Sequence, residues 1–318
     1  MDTANPPRPS PLRELWEIIK ETGSDWSDDN ASRLAAALAY YALLSLAPLL
    51  VIAVAVAGFF FGEDAARGKV AAELGGIVGR DAAKSIQAVV SSAESPSRGV
   101  VGTIVGVVTL FFGASGVFRE LQASLNTVWE VAPKPGSGVW TEVRYRFLSF
   151  TMVLSVAFLL LVSLIVSSLL SAIGTFLGSQ LPGGEAMWQV ANFFISGAIV
   201  AVLFAIIFKY VPDAVIRWRD VWLGAIVTSA LFSIGKLALG LYLGKAAVGS
   251  AYGAAGSIIA LVVWVYYATQ IFLLGAEFTQ VQARRSGREI TPSANAVTTS
   301  EIRALRDDKR SDQTEAQG

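Results

Sequence analysis

The chain has 318 residues, of which 53% are hydrophobic and 16% are charged, and its formal net charge is zero. Soluble domains carry about 25% charged residues, so this composition, with its long apolar blocks, predicts a polytopic helical membrane protein. The zero net charge provides no general attraction to nucleic acid. The lack of cysteine and histidine excludes disulfides, thiolate nucleophiles and metal sites built on those ligands.

The first 32 residues are predicted to form a cytoplasmic N-terminal segment that is rich in proline at its start. A short amphipathic stretch follows the prolines, with apolar residues at helical spacing: Leu12, Leu15, Trp16 and Ile19. Two interpretations fit this pattern. The stretch is either a helix lying on the membrane surface or a loosely ordered tail.

Six apolar blocks are long enough to cross a bilayer, which takes about 20 residues per helix. They lie at roughly residues 34–62, 99–118, 147–173, 189–211, 221–244 and 251–279. We predict an all-α fold, a polytopic membrane bundle of about six transmembrane helices with amphipathic interfacial helices. The corresponding regions are an N-terminal segment (1–32), a membrane domain (33–285) and a disordered cytoplasmic tail (286–318).

The distribution of positive charge supports the six-span topology. With the N-terminus inside, 18 of the 25 lysines and arginines fall in inner segments and 6 in outer segments. Positively charged loops stay in the cytoplasm, so we expect a multi-pass protein of the bacterial inner membrane with both termini in the cytoplasm. The second block is rich in glycine and is the weakest span. Without it the chain has five spans, and the termini lie on opposite sides.

The inner segment 119–146 begins with an apolar face at helical spacing and predicts an interfacial helix. Pro133 and Pro135 are expected to stop this helix. The residues of the apolar face are Leu121, Leu125, Val128 and Trp129.

Lys236 is an ionisable residue within a predicted span, and such residues are functional candidates. It lies 15 residues after Val221, or about 22 Å along a helix. Candidates at the same depth in other spans are Thr103, Ser163, Ser196 and Trp264. We predict that these residues form a polar layer that binds substrate. In the alternative interpretation, the lysine simply extends to the outer interface.

Other candidate residues lie near the ends of the spans. Arg33 shares a helix face with Tyr40, and Pro48 is expected to kink the same helix. Arg33 and Tyr40 are therefore candidates for substrate binding; the alternative is an interfacial arginine with a kink that serves packing. Tyr252 lies in the glycine-rich stretch 249–256, where a helix break against a cavity would place it beside substrate.

Glu277 lies near the inner end of the last span, far from the depth of Lys236. A buried carboxylate without a partner costs several kcal/mol. We therefore predict an Arg33–Glu277 ion pair with a structural role, joining the first and last membrane helices. In an ion-coupled transporter, Glu277 would also be the titratable candidate.

The sequence contains no nucleotide-binding loop, no serine-hydrolase elbow, no zinc-protease motif and no carboxylate cluster within the spans. We therefore expect no enzymatic activity, no cofactor and no metal.

Four stretches of the chain together resemble the YihY/BrkB family of bacterial inner-membrane proteins. They are RLAAALAYYALLSLAPLL, FGASGVFRELQASLNTVWEV, VPDAVIRWRDVWLGA and SAYGAAGSIIALVVWVYYATQIFLLGAEFTQ. The resemblance covers roughly residues 14–285 and implies a six-helix bundle with cytoplasmic termini and envelope- or lipid-related roles. Positions that match the family pattern are Arg33, Tyr40, Ser45, Pro48, Leu125, Asn126, Trp129, Pro212, Tyr252, Gly253, Gly256, Trp264, Gly275, Ala276 and Glu277.

The family is often labelled "ribonuclease BN", but this chain disfavours a nuclease. The soluble nuclease that shares the label needs several histidines to bind zinc, and this chain has none. We predict a transporter or flippase-like carrier of a lipidic or amphiphilic, anionic molecule in the cell envelope. The alternatives are a structural or scaffolding membrane protein and, less favoured, a ribonuclease. The expected partners are membrane lipids and not nucleic acid, and a homo-oligomer is compatible with the sequence.

Overall fold

The computed structural model describes residues 10–44, 62, 116–134, 184–245, 256–288 and 290–304. These residues are mainly helical. The helices longer than ten residues are α1 (Pro11–Asp28), α2 (Ala31–Leu44), α3 (116–128), α4 (Gly184–Tyr210), α5 (Trp218–Lys245) and α6 (Gly256–Arg285), and a short helical segment covers residues 299–304. Four short strands are present: β1 (Val131–Pro133), β2 (Ala214–Val215), β3 (Thr291–Pro292) and β4 (Ala296–Thr298).

The N-terminal amphipathic stretch is the helix α1, so a loosely ordered tail is the wrong interpretation for residues 11–28. The helix starts with Pro11 after Ser10 in extended backbone, and Glu14 lies in its first turn. Proline suits this position because its missing N–H would have no helical partner, and an acid there complements the helix dipole. Asn30, with φ of 53°, adopts the left-handed conformation that asparagine tolerates and turns the chain into α2.

Two of the described helices, α4 and α6, are long and apolar enough to cross a membrane, through Phe193–Tyr210 and Leu261–Arg285. Less than a quarter of the α4 segment is buried within the protein, and Phe194 is 68% exposed. A long apolar helix whose surface the described residues leave mostly exposed is suited to contact with lipid. The prediction of six spans stays a prediction, because much of the chain between residues 45 and 183 lies outside the described residues.

The polar side-chain contacts of the described residues are concentrated at one end of the helices, which we call the polar end. It is formed by α1, α3 and the last turns of α6. The largest buried side chains include Trp129, Leu125, Phe208 and Leu273. Ring centroids of Phe208 and Phe272 lie 5.3 Å apart, so α4 and α6 share an aromatic core. The apolar face predicted for α3 is thus buried against the bundle, where an interfacial position was expected.

Helices α5 and α6 approach closely through two glycine–threonine pairs. A Cβ atom on Gly224 would overlap the hydroxyl of Thr279 and lie 2.8 Å from its Cβ, and one on Gly275 would meet Thr228 in the same way. Each threonine donates a hydrogen bond to a glycine carbonyl of its own helix, at 2.6 Å from Thr228 to Gly224 and 2.7 Å from Thr279 to Gly275. The threonine hydroxyls are thus satisfied, and the two backbones pack without large side chains between them.

Two predictions for segments at the polar end are wrong. Residues 286–288 and 290–304 of the predicted disordered tail are ordered, because β3 pairs with β2 and β4 pairs with β1; residues 289 and 305–318 lie outside the described residues. Helix α3 ends at residue 128, before either proline. Glu130, with φ of 53°, redirects the backbone into β1.

Candidate functional site

The structure brings Lys236 and Trp264 together on one groove between α5 and α6. The groove is narrow, with a volume of about 10 Å³, and its other lining residues are Phe232, Tyr267, Ala268 and Ile271. Trp264 packs edge-to-face on Phe232, with ring centroids 6.1 Å apart. Lys236 is exposed. The groove therefore presents one cation beside an aromatic surface.

The remaining predicted binding residues do not join this groove in the described part of the chain. Ser196 is exposed on α4, and Arg33 and Tyr40 are exposed on α2. The ring of Tyr40 packs edge-to-face on Tyr41, with centroids 5.6 Å apart. Four predicted residues lie outside the described residues: Thr103, Ser163, Tyr252 and the kink residue Pro48.

The predicted Arg33–Glu277 ion pair does not form. Glu277 is fully buried, at 0% exposure, and within the described residues neither of its oxygens accepts a hydrogen bond from an N–H or hydroxyl group. Arg33 instead points away from the buried core and is exposed. The Glu277 carboxyl is one of the groups that affect the pKa of Asp29, in the turn between α1 and α2.

Other residues connect the N-terminal helix α1 to the last long helix, α6. Arg284 donates hydrogen bonds to Glu21 and Asp25, each at 2.6 Å, and Arg285 donates to Glu21 at 2.5 Å and to Glu17 at 3.4 Å. Burial alone would raise the pKa of Glu21, but the hydrogen bonds from both arginines outweigh it and lower the pKa. Ion pairs thus join α1 to α6.

The environment of Asp29 is acidic. Its burial raises its pKa from 3.8 to about 6, and the negative charge of Glu130 adds to this shift. Sequence analysis missed Asp29, although a signal was available: Ile18, Thr22 and Asp29 recur at helical spacing. Ile18 and Thr22 are both buried, so Asp29 continues the buried side of α1.

A second polar contact joins α3 to the loop before α5. The Asn126 side-chain amide donates to the Asp213 carboxylate at 2.9 Å, and the Asp213 backbone N–H donates to Asn126 at 2.8 Å. Gln122 donates to the same carboxylate at 3.2 Å, and the Ser293 backbone N–H donates to the Asp213 carbonyl at 2.8 Å. Asp213, which the sequence did not single out, thus connects α3 with the C-terminal segment. The sequence feature that could have drawn attention to Asp213 is its position directly after Pro212.

A cavity of about 650 Å³ lies beside this contact, at the polar end. Its lining includes Trp129, Ile216, Arg217, Asp220, Gly287 and Arg288. Arg288 forms an ion pair with Asp220 across the cavity wall. The volume is in the range of small-molecule sites. Within the described residues, no group of three or more acidic, histidine or cysteine residues is placed to hold a metal ion.

Comparison with known proteins identifies the family. The family model described as "Virulence factor BrkB" matches residues 22–299. The chain belongs to the BrkB family. This confirms the family resemblance of the four stretches, which include Asn126, Trp264 and Glu277.

Similar proteins are named as membrane proteins. A "UPF0761 membrane protein" of Rhodospirillum centenum is 28% identical over 279 residues, which are 85% of this chain and 58% of the relative. One of Verminephrobacter eiseniae is 29% identical over 273 residues, 83% of this chain and 62% of the relative. One of Alteromonas mediterranea is 28% identical over 275 residues, 84% of this chain and 87% of the relative.

This BrkB-family chain thus spans about three fifths of the length of the first two relatives. No solved structure matches it. The family and the apolar helices make it a membrane protein.

Proposed function

We propose that this BrkB-family protein carries an amphiphilic, anionic lipid across the bacterial inner membrane, as a flippase-like transporter of the cell envelope. The observation that carries the proposal is the groove that places Lys236 beside Trp264. A cation on a lipid-exposed surface of apolar helices attracts an anionic headgroup. The aromatic rings beside it offer an apolar surface for the rest of the lipid.

The packing of α5 supports this reading of the groove. Gly235 lies so close to α6 that a Cβ atom there would be 2.5 Å from Ile271 Cδ1 and 2.8 Å from Tyr267 Cε1. The close approach keeps Lys236 at the edge of the helix pair, where its side chain is exposed. We also propose the predicted topology, with both termini in the cytoplasm, and no enzymatic activity, cofactor or metal.

Reconstitution into vesicles of phosphatidylcholine and phosphatidylglycerol with a labelled anionic lipid tests this proposal. Wild type is expected to move the labelled lipid between leaflets, and Lys236→Ala to slow it about tenfold, as expected for losing one charge-assisted contact. Lys236→Arg keeps the charge and is expected to retain most of the rate. Arg219→Ala is the control, because Arg219 is an exposed cation away from the groove.

The outcomes separate the site from the function. An unchanged rate in Lys236→Ala contradicts the role of the groove, and an Arg33→Ala variant tests the other predicted cation in the same way. A wild type that moves no lipid contradicts transport. Cleavage of RNA by the purified protein would instead restore the ribonuclease label.

A scaffolding membrane protein is the second candidate function. It is favoured by the small volume of the groove beside Lys236, about 10 Å³, since a transporter needs a path wide enough for its substrate. In that case the exposed surfaces at the polar end would hold partner proteins. A wild type that moves no lipid but co-purifies with a defined membrane partner would support it.

A further inference from the structure

The cavity of about 650 Å³ at the polar end is enclosed by segments that are distant in the chain. Trp129 lies in the turn after α3, and Arg217 and Asp220 lie at the start of α5. Arg288 lies in the turn after α6. The pairing of β2 with β3 joins two of these segments, because β2 precedes α5 and β3 follows α6. The cavity is therefore part of the folded protein, as ligand sites usually are before a ligand binds.

The carbonyl groups at the end of α6, beside the cavity, are occupied. Gly287, with φ of 68°, adopts the left-handed conformation that ends many helices. Its N–H donates to the Arg284 carbonyl at 3.0 Å, and the Arg288 N–H donates to the Ala283 carbonyl at 3.3 Å. These oxygens already accept hydrogen bonds and are less available to a cation. The same turn brings Arg288 to the cavity.

The charged side chains of the lining favour an anion. They are two arginines and one acid, and Arg288 forms an ion pair with Asp220. Asp220 is only 5% exposed, so its charge is directed to Arg288. Arg217 is exposed and forms no ion pair within the described residues. The lining therefore keeps one uncompensated positive charge, and the positive end of the α5 helix dipole adds to it.

The cavity also offers an apolar surface, because Val215 and Ile290 line it and neither is fully buried. A guanidinium group matches the oxygens of a phosphoryl group and donates two parallel hydrogen bonds to it. A phosphate monoester carries close to two negative charges at neutral pH, so it gains more from this lining than a carboxylate does. We propose that the cavity binds an organic phosphate monoester, with its phosphoryl group held by Arg217 and its apolar part against Val215 and Ile290.

The start of α5 lies among exposed aromatic residues. Tyr210 is 61% exposed and packs edge-to-face on Trp218, with ring centroids 6.0 Å apart. Trp222, on the next turn, is also exposed. Tyrosine and tryptophan are typical of the interface between membrane and water. A phosphate monoester at this level is either a lipid headgroup or a soluble compound. Both share the chemistry that Arg217 recognises, and neither requires that the protein transports lipid.

Isothermal titration calorimetry of the full chain in dodecyl maltoside tests the site with one probe from each source. Phenyl phosphate is the soluble probe, and dihexanoyl phosphatidic acid, below its critical micelle concentration, is the lipid probe. Titration of each probe into protein-free detergent provides the reference. Wild type is expected to bind at least one probe with a saturable heat. Benzyl alcohol, which has the ring without the charge, should give no heat above the reference.

Three variants assign the binding to the cavity. Arg217→Ala is expected to weaken binding about tenfold, through the loss of one charge-assisted contact. Arg219→Ala is the matched control, because Arg219 is an exposed arginine two residues away that does not line the cavity. Asp220→Asn keeps the size of the side chain, removes the acid of the lining and releases Arg288, so binding should tighten about threefold. Melting curves establish that each variant is folded.

The calorimetric result decides the proposal. Binding that is weakened in Arg217→Ala and unchanged in Arg219→Ala supports the site. Binding of both probes identifies the phosphoryl group as the part recognised, while binding of one alone identifies a soluble ligand or a headgroup. No binding of either probe overturns the proposal, and so does equal binding by Arg217→Ala and wild type. Weaker binding by folded Asp220→Asn also contradicts it, because the lining would then not select anions. Lipid transport is measured separately in vesicles, so its failure leaves this result unaffected.

Discussion

Helix α6 contacts α5 along one side and α1 at its end, and the two contacts use different chemistry. Against α5 it packs through Gly275 and Thr279, with every threonine hydroxyl bonded within its own helix. Against α1 it uses Arg284 and Arg285, which bind carboxylate groups. The first contact relies on steric fit between small side chains, and the second relies on partly exposed charges. The first contact should therefore be insensitive to salt and pH, and the second should respond to both.

The largest effect is expected from filling the close contact between α5 and α6. Gly275→Ala places a methyl group into Thr228, and relief of the clash must separate the helices, so we expect a loss of about 3 kcal/mol. Thermal unfolding in detergent measures it. Gly197→Ala is the matched control, because nothing lies within 4 Å of a Cβ there. Equal stability of the two variants would contradict the proposed close packing.

A smaller loss is expected from opening the buried polar contact of α3. Asn126→Ala removes the amide that both donates to and accepts from Asp213, which leaves buried groups unsatisfied and costs about 2 kcal/mol. Gln122→Ala removes the longer hydrogen bond to the same carboxylate. Because this bond is only partly buried, its loss should destabilise the protein less. Denaturant unfolding of both variants tests the order. The reverse order would mean that Asn126 is not the principal partner of Asp213.

The arginine contacts between α6 and α1 should contribute less, because they are partly exposed. Arg284→Gln is expected to cost about 1 kcal/mol at low salt and less at high salt, since solvent and ions screen these pairs. Repeating the unfolding measurement at both salt concentrations checks this. The effect of Gly275→Ala should not change with salt. A salt-independent effect of Arg284→Gln would remove the distinction between the two contacts.

The smallest effect concerns pH. Because the folded state raises the pKa of Asp29 from 3.8 to about 6, its ionisation is less favourable in the folded protein. Its favourable contribution is present below pH 3.8 and is lost as the pH rises through about 6. Asp29→Asn should therefore gain stability over wild type above that pH, by about 2 °C in melting temperature, since the group is half buried. If the melting temperature of Asp29→Asn relative to wild type is the same at pH 4 and at pH 8, this shift in the pKa of Asp29 is contradicted.

Glu21 should respond to pH in the opposite direction. Its lowered pKa means that its contribution is present above its usual value of 4.5 and is lost as the pH falls through the lower, folded value. Acidification should thus weaken the arginine contacts while it strengthens the contact at Asp29. Melting curves of wild type and Arg284→Gln should converge at low pH.

The local periodicity of the sequence predicted several elements correctly. Apolar runs at helical spacing indicated α4 and α6, and the spacing of Leu125 and Trp129 indicated the apolar face of α3. Counting residues along two helices placed Lys236 and Trp264 at one depth. These predictions depend on neighbours within one segment, and a helix has a fixed rise per residue.

Predictions that required pairing between distant segments were less successful. Arg33 was predicted to pair with Glu277 only because both lie near the inner ends of their predicted spans. Depth along a span does not determine which face of a helix is turned inward. Asp29 and Arg33 are four residues apart but lie on either side of the turn at Asn30, so helical spacing does not determine which of them is turned inward. The C-terminal segment was predicted to be disordered because it has few large apolar residues. Its strands at residues 291–298 are ordered by backbone pairing with β1 and β2, which composition cannot reveal.

The sequence by itself determined that this protein is a helical membrane protein, since composition and periodicity are properties of single segments, and the resemblance of four stretches indicated the BrkB family. Only the tertiary structure decided that Glu277 is buried without a hydrogen-bond partner among the described residues, that Arg284 and Arg285 bind α1, and that the glycines of α5 and α6 receive threonines. Arg284 and Glu21 lie 263 residues apart in the chain. Contacts over such separations depend on how every intervening helix packs, and local sequence preferences do not encode them.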